Sequence, residues 1–398
     1  MSKEKKANNC LLVGIDGGAT EVKTHQVIME GSEDAPVFRL GEIGASRKYE
    51  RVVGFRPVEL AEQLRQRGAV ELTPAEKEQG HRYIEATVQT VVEVARQASA
   101  TRVLIGMGMP GLKTPDGRGI ETMNNGPRIP DYLDDLERGL ENSGLDLVAP
   151  VSRLGSDADY CGMGEEYAAD GGFRDVENAY YLGGGTGIAD AMKLNGQLVP
   201  FDEAKAWMQK AWQIPSSLGP TFEKLASALG MSSIYANLLG LSMAKLAEQN
   251  RYPESEALNG DVLAESTLEG ASLVLAELVF ERIHTIKNGR QDVAHRSHAY
   301  LELISDHPYR GTVLDRVVIG QRVGQIYDEP RFETAFKQKL DRCLARFLAN
   351  SGDDELRQCY LEGDKLRRGV VVASKLREAP AIGAAIDAVR SRPQDMGQ

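Results

Sequence analysis

Two stretches of this 398-residue chain place chemically capable residues directly after apolar segments. Asp157 follows the apolar run 148–154, and Gly183-Gly184-Gly185-Thr186-Gly187 follows the run 178–182. An aspartate at a strand end stands where α/β proteins gather their chemistry, and it can serve as a general base. Clustered glycines let backbone N–H groups approach an anion closely, and Thr186 adds a hydroxyl donor. A hairpin turn of this composition can hold a phosphate group.

A similar arrangement occurs near the N-terminus. The apolar run 10–16 ends in Asp16, and Gly17-Gly18-Ala19-Thr20 leads from it into a second strand-like run, 21–29. A carboxylate at a strand end can hold a water-ligated Mg²⁺ while the adjacent turn faces phosphate. A plain hairpin explains this stretch equally well when it is considered alone.

The surrounding elements predict an α/β protein. The glycine cluster lacks the Gly-Lys-Ser/Thr ending of a P-loop, and the apolar run 189–194 after it favours a hairpin. A capped helix beginning after Thr73 leads into the strand 102–107, which is typical of a sheet with covering helices. The run 270–286 is apolar nearly all round, as in a buried helix. Each motif also has a plain interpretation, because glycine hairpins are often only tight turns and such an Asp is often only a helix cap.

Composition limits the class of protein. The chain is 42% hydrophobic and 26% charged, which is typical of globular proteins, and its length predicts two domains. A net charge of −11 argues against a nucleic-acid-binding surface, which needs clustered Lys and Arg. The sequence has no apolar stretch of about 18 residues, and its four cysteines lack paired spacing. We expect a cytoplasmic protein that binds neither membrane nor nucleic acid.

The motifs resemble those of the ROK sugar kinases, a family of the actin-like ATPase superfamily. The segments SDAD, GEEY and LGGGTGI resemble the family's catalytic and second phosphate motifs, and the terminal segments resemble it in the same order. The resemblance implies a two-lobed actin-like ATPase (ribonuclease H-like) α/β fold, in which each lobe is a mixed sheet covered by helices and the active site lies in the cleft. The smaller lobe would comprise residues 1–153 and 382–398, and the larger lobe residues 154–381.

The resemblance also implies a function. ATP, with Mg²⁺, would phosphorylate a hydroxyl of a hexose-like or cyclitol-like molecule, and the protein would be a homodimer. Asp157 would be the catalytic base, and Asp16 would be the metal ligand. The nucleotide-binding residues would be Asp16, Gly17, Gly18, Thr20, Lys23, Gly185, Thr186, Gly187, Gly320 and Gln321. The substrate-binding residues would be Gly111, Arg128, Ser156, Glu203 and Glu223.

The two nucleotide motifs depart from the family's pattern. The family's D-x-G-G-T-K reads DGGATE from Asp16 to Glu21, with Lys23 two positions further along the same strand. Side chains two positions apart share a strand face, so Lys23 is expected to point the same way as the missing lysine. The family's adenosine motif has three consecutive glycines. In this chain only the first of them, Gly320, is present, and Gln321 and Arg322 occupy the other two positions. These two side chains either crowd the purine or bind phosphate or ribose.

The substrate motifs differ as well. Arg128 and Ser156 stand where the family has asparagines, and a guanidinium favours an anionic or strongly accepting group. A solvated loop position is an equally good interpretation of Arg128. Glu223 is expected to bind a diol, and its plain alternative is an exposed helix face. Glu203 is the weaker candidate.

The zinc site of the family is missing. Neither His nor Cys occurs between residues 182 and 283, so we expect no structural zinc. The histidines of the polar segment 287–313 are a weaker alternative for metal, namely His295, His298 and His307. The rival to a kinase is a non-catalytic or degenerate ROK-like metabolite-binding protein. A DNA-binding regulator is disfavoured by the charge and by a first strand expected from about Cys10, which leaves no room for an extra N-terminal domain.

Overall fold

The computed structural model of the chain describes residues 10–32, 35–200, 208–289 and 306–392. The chain divides into two compact units. Unit 1 comprises residues 1–169 and 378–398, and unit 2 comprises residues 170–377. Within the described ranges, no helix has the length and apolar character needed to cross a membrane.

Unit 1 is a mixed sheet with helices packed on it. Its strands are β1 (Cys10–Gly17), β2 (Glu21–Ser32), β3 (Ala35–Lys48), β4 (Arg102–Gly108), β5 (Leu112–Lys113), β6 (Ile120–Thr122), β7 (Asp146–Leu147) and β8 (Leu154–Gly155). Its helices are α1 (Leu60–Arg65), α2 (Pro74–Gln97), α3 (Tyr132–Asn142), α4 (Asp157–Tyr167) and, near the C-terminus, α13 (Ala379–Arg390). The main sheet has the order β3-β2-β1-β4-β7, and β8 also pairs with β4.

Unit 2 repeats this architecture with more helices. Its strands are β9 (Ala179–Gly184), β10 (Ile188–Leu194), β11 (Gln197–Val199), β12 (Arg316–Gly320), β13 (Leu361–Glu362), β14 (Lys365–Leu366) and β15 (Val371–Ala373). Its α-helices are α5 (Phe222–Ala226), α6 (Ala228–Leu238), α7 (Met243–Glu248), α8 (Pro253–Leu258), α9 (Val262–Asn288), α10 (Gln321–Asp328), α11 (Gln338–Ala349) and α12 (Asp354–Tyr360). A 3₁₀ turn at Pro330–Phe332 and a π-helical turn at Glu333–Lys337 lie between α10 and α11.

The two main sheets have the same topology. The sheet of unit 2 has the order β11-β10-β9-β12-β15. In each sheet the first three strands are antiparallel, and the central strand then pairs in parallel with a strand that comes much later in the chain. The two glycine-rich turns connect the first and second strands of their sheets. They therefore occupy equivalent positions in the two copies of one fold.

Glycines allow α13 to pack unusually closely in unit 1. A Cβ on Gly14 of β1 or on Gly106 of β4 would overlap backbone carbonyls of α13. Between α4 and α13, a Cβ on Gly383 would overlap the carbonyl of Tyr160. The Tyr160 hydroxyl also donates to Asp387 of α13 at 2.7 Å. The C-terminal helix is thus a fixed part of unit 1.

This packing corrects the domain boundary predicted from the sequence. The sequence predicts a second lobe that begins at residue 154 and ends at 381, but the structure divides the chain after 169 and after 377. The helix α4, which carries Asp157, belongs to unit 1 because it packs on α13 and begins where β8 ends against β4. The sequence pattern gave no signal for this helix-to-helix contact.

Candidate functional site

The first glycine turn connects β1 to β2. Asp16 lies at the end of β1 and pairs in register with Lys23 of β2. The N–H of Gly18 closes the turn by donating to a carbonyl of β2 at 2.8 Å. Across the described chain, no acceptor lies within hydrogen-bonding distance of the N–H groups of Ala19 and Thr20. Adjacent unpaired N–H groups of this kind can bind an anion.

Two tyrosines support this turn. Tyr83 of α2 donates its hydroxyl to the carbonyl of Ala19 at 2.5 Å, and the N–H of Tyr49 donates to the carbonyl of Thr20 at 3.0 Å. Their rings stack with centroids 3.5 Å apart. The Ala19 carbonyl and the Thr20 N–H belong to one trans peptide, so they point in opposite directions. Because the Tyr83 hydroxyl donates to this carbonyl, the Thr20 N–H points away from Tyr83. Neither tyrosine could be predicted from the sequence.

The glycines of this turn also have a packing role. A Cβ on Gly17 would overlap the sulfur of Met109, and one on Gly18 would lie 3.1 Å from the Glu21 carbonyl. Glycine at position 17 is therefore explained by its packing against Met109, and position 18 leaves little room for a larger residue, whatever the turn binds. Thr20 is exposed, so its hydroxyl is accessible from solvent.

Asp157 is the first residue of α4 and follows closely on β8. The N-cap of that helix is Ser156, whose hydroxyl oxygen accepts the N–H of Asp159 at 3.4 Å. Capping therefore does not depend on the Asp157 side chain. Its Oδ1 accepts one local bond, from the N–H of Ala158 at 3.0 Å. Ser156, predicted to contact substrate, has this structural role and keeps a proton to donate.

Carboxylates surround Asp16 in unit 1. Burial, and after it the charge of Asp157, raises the pKa of Asp16 to about 7, while Lys23 opposes the rise and Glu378 adds to it. Lys23 Nζ lies 3.4 Å from Glu378 Oε1 in a partly exposed ion pair. Because carboxylates outnumber Lys23 here, their negative charge favours the binding of a cation. An anion such as phosphate is favoured only when it binds together with a cation. Sequence reasoning missed Glu378, whose only signal was its position directly before α13.

The resemblance implies Mg²⁺ at Asp16, and the residues present fit that ion. Mg²⁺ is usually held by one or two carboxylates together with water and substrate phosphates. Asp16 and Asp157 supply such carboxylates, and their mutual repulsion falls when a divalent cation binds. In the described part of the chain, no three His, Cys, Asp or Glu side chains are arranged to hold a metal by themselves.

We expect Asp16→Asn to stabilise the metal-free protein in a pH-dependent way. The folded-state pKa of about 7 exceeds the unfolded value near 3.9. Ionisation of Asp16 therefore lowers the stability of the wild type progressively as pH rises from about 4 to 7. Above pH 7 the difference in stability between the variant and the wild type should stay constant. Melting temperatures of both proteins in chelator at pH 5, 6, 7 and 8 measure this effect. Parallel curves would contradict it, and at pH 8 added Mg²⁺ should stabilise only the wild type.

The second glycine turn connects β9 to β10 in unit 2. The N–H of Gly185 donates to the carbonyl of Gly187 at 2.9 Å, which makes the turn tight. The N–H groups of Thr186 and Gly187 have no hydrogen-bond acceptor among the described residues. Thr186 is exposed. The second turn thus presents the same pair of unpaired N–H donors as the first turn.

Glu223 of α5 lies directly against this turn. Its Oε2 accepts the N–H of Ile188 at 2.9 Å, and a Cβ on Gly187 would come within 2.6 Å of that oxygen. Burial raises the pKa of Glu223, the bond from Ile188 lowers it, and the charge of Asp190 raises it. The exposed helix face considered for Glu223 is wrong, because the side chain supports the turn. Whether it also contacts substrate stays a prediction.

The start of α10 lies on the other side of the same turn. Gly320 ends β12, and a Cβ there would overlap the ring of Tyr181. Gln321 follows with φ of 55°, a left-handed conformation that explains why glycine suits this position. Arg322 does not approach the turn, because its guanidinium forms an ion pair with Glu254. Of the two departures from the adenosine motif, only Gln321 contacts the glycine turn.

The prediction that Arg128 contacts substrate is wrong. Its guanidinium is buried in unit 1, where Nε and Nη2 donate to the two oxygens of Glu76 at 2.8 Å each. Nη2 also donates to the carbonyl of Glu71 at 2.9 Å, and Nη1 donates to Gln66. Both side chains of the ion pair are 1% exposed. Arg128 is therefore neither a solvated residue nor a group that faces a substrate.

Gly111, the other predicted substrate contact in unit 1, has a structural reason for being glycine. Its φ is 92°, and a Cβ there would overlap the carbonyl of Thr122. A sugar contact at this turn stays a prediction. Glu203, His295 and His298 lie outside the described residues.

Comparisons with known proteins address the fold. No protein-family model and no curated protein sequence matches this chain. Three similar solved structures are a ROK hexokinase from Thermus thermophilus, a ROK family glucokinase from Streptomyces griseus and a ROK family transcriptional regulator homologous to the E. coli MLC protein. Their identities to this chain are 17%, 13% and 12%, with TM-scores of 0.52, 0.53 and 0.52.

Each alignment covers 96% of this chain, and it covers 98%, 100% and 78% of the hexokinase, glucokinase and regulator, respectively. The fold class predicted from the sequence is confirmed: the chain has the actin-like ATPase fold of the ROK sugar kinases.

Proposed function

We propose that this protein is a phosphotransferase that uses Mg·ATP to phosphorylate a hydroxyl of a hexose-like or cyclitol-like molecule. The observation that carries the proposal is the pair of carboxylates, Asp16 and Asp157, beside a glycine turn with two unpaired N–H groups. Phosphoryl transfer needs a metal ligand, a base and phosphate-binding donors. Unit 1 has a candidate residue for each of these roles.

Asp157 is the group suited to act as the base. Its carboxylate is only partly buried and accepts one weak local hydrogen bond, so most of its acceptor capacity remains for a substrate hydroxyl. Asp157 would remove the hydroxyl proton as that oxygen attacks phosphorus.

Asp16 would hold Mg²⁺, which on binding neutralises charge on the transferred phosphoryl group. The two glycine turns would bind phosphate oxygens through the N–H groups of Ala19 and Thr20 and of Thr186 and Gly187. Lys23, in register with Asp16, would add a positive charge beside the first turn. ATP as donor is supported by the Streptomyces griseus glucokinase, a structure in complex with glucose and AMPPNP.

A metabolite-binding protein without catalysis is the second candidate. The transcriptional regulator homologous to the MLC protein has the same fold, so this fold is not confined to kinases. Here the first turn contains Ala19 and Glu21, and Gln321 replaces a glycine of the adenosine motif. These departures favour a sensor, whereas Asp16 and Asp157 favour an enzyme. We also propose, on family resemblance alone, that the protein is cytoplasmic and forms a homodimer. We propose that it carries no structural zinc.

A coupled ADP-release screen with Mg·ATP tests the kinase directly. The acceptors would be neutral, amino and acidic hexoses and a set of cyclitols, each also assayed with GTP and with polyphosphate as donor. We expect one acceptor class to give turnover that depends on Mg²⁺. If no acceptor is phosphorylated with any donor while a sugar or cyclitol still binds, the sensor replaces the kinase.

A further inference from the structure

One carboxylate of α13, Asp387, binds the chain on both sides of Asp157. Arg153 lies four positions before Asp157, and its Nε and Nη2 donate to the two Asp387 oxygens at 3.0 and 2.7 Å. Tyr160 lies three positions after Asp157 and donates its hydroxyl to Asp387 Oδ2 at 2.7 Å. Burial, and after it the charge of Asp387, raises the pKa of Tyr160, so this hydroxyl stays protonated. Asp387 therefore accepts three hydrogen bonds from the segment 153–160.

A short strand and a long cap bond hold the backbone of this segment. β8 is two residues long and pairs with the end of β4, and the cap bond to the Ser156 hydroxyl is 3.4 Å long. Two glycines bring the Tyr160 ring close to the sheet, because a Cβ on Gly108 would lie 3.0 Å from the ring and one on Gly155 would overlap it. The start of α4 is therefore located by this ring and by its bond to Asp387.

Stability alone is a poor explanation for a carboxylate at position 387. The Asp387 side chain is 6% exposed, and its neighbours in α13, Ile386 and Ala388, are buried and apolar. Burying a carboxylate carries a desolvation cost, and an apolar residue of similar volume often gives equal or greater stability. The carboxylate differs from an apolar residue in the directed bonds that it accepts from Arg153 and Tyr160. These bonds fix the geometry of the segment relative to α13.

We propose that Asp387 is a positioning residue, which fixes Asp157 for catalysis through Arg153 and Tyr160. The proposal rests on the proposed function, because that function assigns Asp157 as the base. A base must lie within hydrogen-bonding reach of the attacking hydroxyl, and a displacement of about 1 Å can lower the rate about a hundredfold. The charge of Asp157 also repels that of Asp16, so the position of Asp157 needs support from bonds of this kind.

Two variants remove this attachment without leaving a buried charge unpaired. Tyr160→Phe removes one hydroxyl and keeps the ring against the glycines. The double variant Asp387→Leu with Tyr160→Phe removes both buried polar groups, so its Tm should be near or above that of the wild type. In both ligand-free variants, hydrogen exchange at the backbone N–H groups of residues 158–161 should be about tenfold faster than in the wild type.

Turnover tests the same variants once the screen has identified an acceptor. Each should lower kcat about 10–100-fold and change KM little, because the base is displaced and the acceptor site is not. In the Asp157→Asn background the same changes should leave kcat within about twofold, since the group that they position is already gone. Tyr360→Phe is the matched control. It removes one buried hydroxyl bond in unit 2, to the Leu314 carbonyl at 2.8 Å, and should lower Tm without these effects.

Three results would overturn the proposal. Unchanged exchange at residues 158–161 in both variants would mean that Asp387 does not hold this segment. Faster exchange with wild-type kcat would mean that Asp387 supports the fold and not the base. An equal loss of kcat in the Asp157→Asn background would mean that it acts on a group other than Asp157. Hydrogen exchange needs neither donor nor acceptor, so an inactive wild type would refute the kinase while exchange still decides whether Asp387 fixes this segment.

Discussion

Asp157→Asn is expected to reduce turnover by a factor of about 10²–10⁴, the contribution typical of a positioned general base. A sugar or cyclitol hydroxyl is a poor nucleophile at neutral pH, and asparagine accepts a hydrogen bond from it but cannot take its proton. Acceptor affinity should therefore fall only modestly. Turnover and acceptor binding are to be measured on the same two proteins, once the screen has identified the acceptor.

The structure makes the alternative explanation of Asp157 testable. If this residue only stabilised α4, asparagine would do as well, since Ser156 supplies the cap bond and Asn accepts the Ala158 N–H equally. A variant with wild-type turnover would therefore remove Asp157 from the mechanism. Asp159→Asn is the matched control, because it is also acidic and in the first turn of α4, but about 200° further around the helix. Its turnover should be near that of the wild type.

Asp157→Asn should also change Asp16. The charge of Asp157 is the second cause of the raised pKa of Asp16, after burial. Removing that charge should lower the pKa of Asp16, so metal-free stability should depend on pH over a lower range than in the wild type. An unchanged pH range would mean that the two carboxylates do not interact. This measurement needs no substrate.

The sequence predicted those parts of the site that depend on local patterns. The two hairpins could be predicted because glycines interrupt apolar runs whose residues then continue as a second strand. Asp16 could be placed at a strand end for the same reason, and in the structure it pairs with Lys23 of the second strand. The helix cap at Thr73 is present as predicted, with its hydroxyl accepting the Glu76 N–H at 3.2 Å. Local geometry fixes all of these.

Other features depended on contacts between distant segments. The packing of α13 on α4 joins residues from the two ends of unit 1. Because of this packing, the observed domain boundary differs from the one predicted from the sequence. Glu378 approaches Lys23 across 355 positions of the chain. The shared strand order of the two units was not predicted, although both glycine hairpins were, because it depends on the parallel pairing of each central strand with a strand much later in the chain. Such contacts leave no periodic signal in a single sequence.

Arg128 is the clearest case of a tertiary contact that overrode a local interpretation. A charged residue in a loop rich in Gly, Pro and Asn is usually solvated, and the capping-box pattern would turn Glu76 back toward its own helix start. Instead Glu76 faces Arg128, which is 52 positions away, and each compensates the buried charge of the other. This buried ion pair contradicts both interpretations of Arg128 from the sequence, as a substrate contact and as a surface residue.

Arg128→Asn is therefore expected to lower the free energy of unfolding of unit 1 by about 3–5 kcal/mol, because it leaves the Glu76 carboxylate buried without its partner. Urea unfolding of both proteins measures this loss, and donor affinity at low temperature, where the variant is still folded, should be unchanged. The control is the double variant Arg128→Met with Glu76→Gln, which removes both charges and should recover much of the stability. A single variant that unfolds at the wild-type urea concentration but binds the acceptor more weakly would contradict the structural role. It would return Arg128 to the substrate site.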